Sequence, residues 1–309
     1  MGDDGVPWSV AWRNAAHGAR GFYGEAHGRA EEHFTTSVMS SDAVARRVIE
    51  LALPALHVVA ASGTPLTVTD VGAADGTLLR QLRQWWPDAL RPVTTWRGLD
   101  VRPRPTGLDG DIEWHAGDVV DTVPRLSPGA GLVIAHELLD DIPCDIVEPD
   151  DDGVLRLVLV DPVSGLQTLG PRLDDPDACA RLGVDGKSMS DWCARWWPRR
   201  EPAARIEVGS SRDEVWRQVS SLVTDGVRVA VDYAHVTEER ARGEWDGGTL
   251  AAYRDGRLVS PRPDGTCNIT AHVALDACAA AVSSPTTRLF RPDPGRDFWW
   301  LVQSTQPLP

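Results

Sequence analysis

From Leu66 onward, short apolar runs alternate with stretches whose hydrophobic residues recur every three or four positions. The runs LTVTDVG (66–72), VTTWRGLD (93–100), DIEWHAGD (111–118), GLVIAHE (131–137) and VRVAVDY (227–233) read as five strands. GTLLRQLRQWW (76–86) reads as a helix stopped by Pro87. Ser41 is placed to cap an earlier helix through DAVARRVIELALPALHVVA, which Pro54 is expected to kink or end. The SRDE run from Ser211 to Glu214 has capping-box spacing and opens another helix, with Gly226 placed to close it. Such alternation predicts an α/β fold with a largely parallel sheet. Residues 144–205 interrupt it, because EPDDDG (148–153) looks like a hairpin turn and DWCARWWPRREP (191–202) like a surface or lid segment. The stretch is expected to be an insertion before the fifth strand of one domain.

Composition narrows the function. The chain has 309 residues, 42% hydrophobic and 25% charged, which are ordinary globular values. Its 45 acidic and 31 basic residues leave a net charge of −14, and the one dense basic run is RWWPRR (195–200). A surface that tracks phosphates is not expected, so nucleic acid is excluded as a partner. The five Cys residues form no CxxC pair and no metal-ligand spacing with His, and they read as reduced thiols of a cytoplasmic protein. The opening MGDDGVPWSV carries two acids and no apolar run of a secretory leader. Residues 51–69 lack Asp, Glu, Lys and Arg but contain Pro54, His57, Gly63 and Pro65, which suits a broken helix plus a strand rather than a membrane span.

The candidate chemistry centres on DVGAADG, where the first strand meets the following helix. Backbone N–H groups at that helix start, with Gly72 and Gly76 free of side chains, are expected to receive a ligand, and Asp70 and Ala73 belong to the same turn. A dinucleotide turn requires GxGxxG, but Ala74 and Thr77 stand at its second and third glycine positions. The spacing present, Asp-x-Gly-x-Ala-x-Gly, resembles the acidic-x-Gly-x-Gly-x-Gly turn of S-adenosylmethionine (SAM) methyltransferases. Asp100, followed by Val101, ends the second strand 24 residues after Gly76, where a carboxylate accepts both ribose hydroxyls. Asp118, after Gly117, ends the third strand, where the resemblance places it near the adenine amino group.

A broader resemblance rests on five blocks in one order: GFYGEAHGRAEEHFTTS (21–37), AHELLDDIP (135–143), VDYAH (231–235), GGTLAAYR (247–254) and NITAHV (268–273). Together they resemble the MidA family of SAM-dependent methyltransferases, relatives of the mitochondrial complex I assembly factor that methylates a protein arginine. The resemblance implies a Rossmann-like class I methyltransferase fold with a mostly parallel seven-stranded sheet. It also implies an N-terminal helical segment, 1–60, that closes over the cofactor, and a methyltransferase domain, 61–309. The chain departs from the family at Val38-Met39, His136, Ala234, Asn268 and Ala274, so the cofactor side is better kept than the acceptor side.

The implied chemistry is in-line displacement at the methyl carbon of SAM, with S-adenosylhomocysteine as product and no metal. Tyr23, Gly24, His33, Thr35, Thr36 and Ser37 are small or hydrogen-bonding groups suited to close over the cofactor. Glu137 and Asp140, beyond the fourth strand, would pair with a cationic nitrogen acceptor such as arginine of a protein or peptide. Asp141 is open between that role and capping a following helix. His272, and less so His136, could act as a base near neutral pH, and His136 is expected to touch cofactor. Trp192, Trp196 and Trp197 lie close enough in sequence for an aromatic cage around a cation. Two other readings are a SAM-binding assembly protein with little turnover and a natural-product enzyme with a small-molecule acceptor.

Overall fold

The computed structural model describes residues 5–24, 41–198, 204–292 and 298–308. The chain divides into two compact units: residues 35–139, 214–233 and 278–309 in one, and 1–34, 140–213 and 234–277 in the other.

The first, the major-sheet unit, contains β1 (Leu66–Val71), β2 (Thr94–Asp100), β3 (Ile112–Ala116), β4 (Gly129–His136), β5 (Val223–His235, its last two residues in the other unit), β6 (Thr286–Phe290) and β7 (Phe298–Ser304). Their order is β6-β7-β5-β4-β1-β2-β3. β1 is parallel to β2 and β4, β2 to β3, and β4 to β5. β7 runs antiparallel to both β5 and β6. The sheet is thus mixed, because β6 and β7 follow each other too closely for the crossover helix that parallel pairing needs.

The same unit contains α1 (Ala43–Ala61), α2 (Thr77–Trp85), α3 (Val119–Thr122) and most of the helix Ser210–Ser221. α1 buries Ala45, Val48, Ile49, Ala52, Ala55, Leu56 and Val59, the spacing of one helix face. That face joins Leu66 and Val68 of β1 and Leu132 and Ile134 of β4 in one core. Each Val, Leu or Ile among them contributes roughly 1.5–3 kcal/mol by leaving water. Pro54 does not end the helix, since it lies on the exposed face where the carbonyl it leaves unbonded meets solvent. The cap residue is Asp42, while Ser41 Oγ accepts the N–H of Ala43 at 3.0 Å. Gly226 closes no helix: the helix Ser210–Ser221 stops earlier, and Gly226 lies inside β5 opposite Gly131.

The minor-sheet unit holds an antiparallel five-stranded sheet of Val6–Pro7, Asp145–Pro149, Leu155–Val160, Gln167–Arg172 and Ile206–Val208. A three-stranded sheet joins Ala251–Arg254, Arg257–Val259 and Asn268–Thr270. Val273–Ala274 pairs with Ala234–His235. In the expected hairpin turn, Asp150 Oδ1 accepts the N–H groups of Asp152 and Val154. In the described part of the expected lid, 191–198, the tryptophans join a core: the helix Gly186–Trp196 buries Met189, Trp192 and Cys193, and Trp197 behind it is fully buried, while 199–202 lie outside the described residues. The 144–205 stretch therefore shares its unit with the N-terminal helix Trp8–His17, whereas α1 belongs to the major sheet.

Among the described residues no helix is long and apolar enough to cross a membrane. All five cysteines are free and buried.

Candidate active site

The sheet order reverses at β1, which has β2 on one side and β4 on the other, and such a reversal opens a crevice at the strands' carboxyl ends. The turn after β1 lies there. Gly72 and Gly76 both take φ of +78°, and Ala74 is also left-handed at +51°, a conformation that costs a residue with a side chain. A Cβ on Gly72 would sit 3.1 Å from Leu138 Cδ1, and one on Gly76 only 2.8 Å from Leu108 Cδ1.

The amides of this turn do not form the expected cradle, for they are used within the protein. Gly72 and Ala73 donate to the Leu99 carbonyl at 2.8 and 3.0 Å, and Gly76 donates to Ala73 O at 2.7 Å. Ala74 N–H donates to Asp100 Oδ2 at 2.8 Å, and Thr77 N–H to Asp75 Oδ1 at 2.9 Å. A carboxylate thus stands where a pyrophosphate would bind in a dinucleotide enzyme, and its charge repels one.

What the turn offers instead is acid. Asp70 is 1% exposed and its Oδ2 has no hydrogen-bond partner. Burial pushes its carboxyl up to about 8, and Asp100 and Asp75 add to the rise. Asp100 Oδ1 accepts Arg102 N–H at 3.0 Å and Arg102 Nε at 2.9 Å, so the carboxylate expected to hold a ribose is engaged by a neighbouring guanidinium. A carboxylate has room for further donors, but a ribose there shares it with Arg102 or displaces it. Val101 is half-buried between these two residues. Gly117 donates its N–H to Asp100 O at 2.8 Å, and Asp118 caps α3 by accepting Val120 N–H at 2.9 Å. The cap engages Oδ1 of Asp118.

Beyond β4, burial lowers the His136 imidazole to about 4, so it is neutral at pH 7 and a poor base there. Its Nε2 lies 3.5 Å from Glu137 Oε1. Glu137 takes a left-handed φ of +49° and donates its N–H to Val231 O at 2.9 Å. No helix follows, so the capping role open to Asp141 does not arise: the chain turns and enters Asp145–Pro149. Asp232, fully buried, holds the turn through Leu138 N–H at 3.2 Å and Leu139 N–H at 2.8 Å. Asp232 belongs to the VDYAH block, but this role depends on β5 lying beside β4, which no local pattern shows.

In the minor-sheet unit, Asp141 is bound by the Tyr23 hydroxyl and by Asn268 Nδ2, the latter at 3.1 Å. Burial and then Asp140 push the Asp141 carboxyl up to about 8. Gly24 donates its N–H to Gly21 O at 2.9 Å. His33, Thr35, Thr36 and Ser37 lie outside the described residues.

Arg212, 1% exposed, draws Asp140 and His272 into one arrangement: it donates to the carbonyls of Asp140 at 3.2 Å, Ile142 at 3.1 Å and His272 at 2.8 Å. Sequence reasoning missed it because SRDE reads locally as a cap. The tryptophans do not form the expected cage. Trp192 Nε1 donates to Asp213 at 2.7 Å, and Trp197 and Trp196 lie near the guanidiniums of Arg240 and Arg195, with centroid distances of 5.6 and 4.7 Å.

Comparison with known proteins bears on this geometry. Residues 81–290 match the family described as "Putative S-adenosyl-L-methionine-dependent methyltransferase". No curated protein matches the chain. A COG1565 superfamily member from Burkholderia thailandensis, crystallised with S-adenosyl-homocysteine, is 19% identical and superposes with a TM-score of 0.71 over 97% of this chain and 88% of its own. The structure of a native COG1565 superfamily protein from the same organism is 18% identical, with a TM-score of 0.69 over 97% and 87%. These two share the α/β fold. The chain belongs to the matched family: it is a SAM-dependent methyltransferase, with S-adenosyl-L-methionine as its cofactor.

Proposed function

We propose that this enzyme methylates a nitrogen, the side chain of an arginine in a protein or peptide, and that it does so in the cytoplasm on the class I pattern. The observation that carries the cofactor's placement is the Asp70 carboxyl: buried, unpartnered at Oδ2 and crowded by Asp75 and Asp100, it lacks a cation. SAM is a cation and supplies an activated methyl group when bound. Asp70 would balance its charge, Gly72 and Gly76 would leave room for it, and Asp100 would accept sugar hydroxyls. Ala73, Val101, Gly117, Asp118 and His136 are assigned as further cofactor contacts of the same unit.

The residues' tasks are orientation and charge. His136, neutral at pH 7, adds no positive charge to compete with a cation. Glu137, fixed by its N–H bond to Val231 and by the Asp232-held turn after it, is assigned to an acceptor cation. Asp140 and His272 are assigned as acid and base on the acceptor side, with Arg212 fixing their backbone positions. The net charge of −14 favours a cationic acceptor. The experiment is methyl transfer from isotopically labelled SAM to arginine-containing peptides, read by mass spectrometry. Label on a guanidinium nitrogen supports the reading, and label only on oxygen or on small metabolites overturns it.

A further inference from the structure

His235 is a buried imidazole, 1% exposed, in the minor-sheet unit. Its Nδ1 lies 2.7 Å from Nη1 of Arg240. A guanidinium only donates, so Nδ1 is an acceptor and the neutral ring carries its proton on Nε2. Arg240 is held so that it cannot turn away: Nε donates to Trp196 O at 2.7 Å, and Nη2 donates to Thr237 Oγ1 and both Asp276 carboxylate oxygens, each at 2.9 Å. Burial, then Arg240, with His272 and Arg212 acting in the same direction, hold the imidazole well below its usual range, so the ring stays neutral. The hydrogen bonds of Arg240 therefore serve to fix one tautomer.

The N–H so presented has no partner. His235 Nε2 is buried without a hydrogen bond, as are the indole N–H groups of Trp197 and Trp245, whose rings flank it at 5.5 and 5.6 Å. Unmet buried donors cost stability and are rare in native proteins. Trp245 in turn lies 5.0 Å from the ring of His272, and His272 N–H donates to Thr249 Oγ1. The VDYAH, GGTLAAYR and NITAHV blocks thus meet around a neutral donor with aromatic walls.

We propose that His235 Nε2–H anchors a site for an oxygen acceptor, a carbonyl or carboxylate, carried by the molecule that receives the methyl group. That the oxygen belongs to the methyl acceptor rests on the methyltransferase reading; that the site takes an oxygen does not. The donors present are neutral N–H groups, which a guanidinium cannot answer, so an arginine acceptor would be read here through its peptide carbonyl. A carboxylate is also suited, because the buried Arg212 acts electrostatically on His235 and its hydrogen bonds go to carbonyls.

The test uses the full chain with 15N-labelled histidine, titrated with N-methylacetamide or acetate, while S-adenosylhomocysteine binding is followed by calorimetry. The Nε2–H resonance is expected to be present in the free protein and to move downfield saturably with one probe, N-methylacetamide marking a carbonyl site and acetate a carboxylate site. His235→Leu should lose both the histidine response and probe binding measured by calorimetry, His235→Gln should bind the probe by calorimetry to within about tenfold of the wild type, and both should bind S-adenosylhomocysteine as the wild type does. An Nε2–H that neither probe moves, or a crystal structure in which an ordered water joins Nε2 to the main chain, overturns the site. Failure of S-adenosylhomocysteine to bind the wild type would instead undermine the cofactor reading, and the response of His235 would still decide the oxygen site.

Discussion

Asp232 Oδ2 accepts the backbone N–H of Leu139 at 2.8 Å, and so ties the turn after β4 to the strand beside it. The same oxygen takes Leu138 N–H at 3.2 Å, and Leu138 in turn packs over Gly72. Glu137 and the glycine turn are therefore positioned from one buried carboxylate. Replacing Asp232 with Ala leaves two amides without their acceptor and should lower unfolding stability by about 2–4 kcal/mol in urea titration. Asp232→Asn, which keeps one carbonyl oxygen, should lose less.

Gly72 is required by both conformation and space. Gly72→Val places a branched side chain at φ +78° with its Cβ against Leu138, and should cost at least about 2 kcal/mol. S-Adenosylhomocysteine binding by calorimetry should be lost in a variant that still shows the wild-type circular dichroism spectrum.

The raised carboxyl of Asp70 makes stability depend on pH. Its folded value, about 8, exceeds the ordinary 3.8, so the protonated acid favours folding and that advantage fades as pH rises from about 4 to about 8. Asp70→Asn mimics the neutral acid. Its stability relative to wild type, measured without cofactor, should rise across that window and level off above it.

His136 carries the opposite dependence. Its folded value, about 4, is below the ordinary 6.5, so the neutral ring supports the fold above pH 6.5 and the contribution is lost as pH falls towards 4. His136→Asn should unfold at lower pH than wild type in an acid titration followed by fluorescence.

The strands and the glycine turn were legible because they depend on neighbours in the chain. Leu66 to Val71 forms an apolar run, and Gly72 and Gly76 mark the backbone that must turn left-handed. The use of the Gly72, Ala73 and Ala74 amides was not legible, because their acceptors, Leu99 O and Asp100, lie more than 20 residues away and arrive only through the pairing of β1 with β2. DWCARWWPRREP looks exposed by its arginines, yet Trp192 and Trp197 are buried there, one bonded to Asp213 and the other under Arg240. Arg212 was hidden for the same reason, its three carbonyl partners lying 60 to 72 residues from it in sequence.

The cofactor's cation and the Asp70 carboxylate are the pair on which everything else depends, and proton release on binding measures it most directly. Calorimetric titration with SAM at pH 7, in buffers of different ionisation enthalpy, should show about one proton released per cofactor bound, because Asp70 is largely protonated until a cation arrives. Asp70→Asn should bind more weakly and release none. Equal affinity and equal proton release in the two proteins would contradict the account.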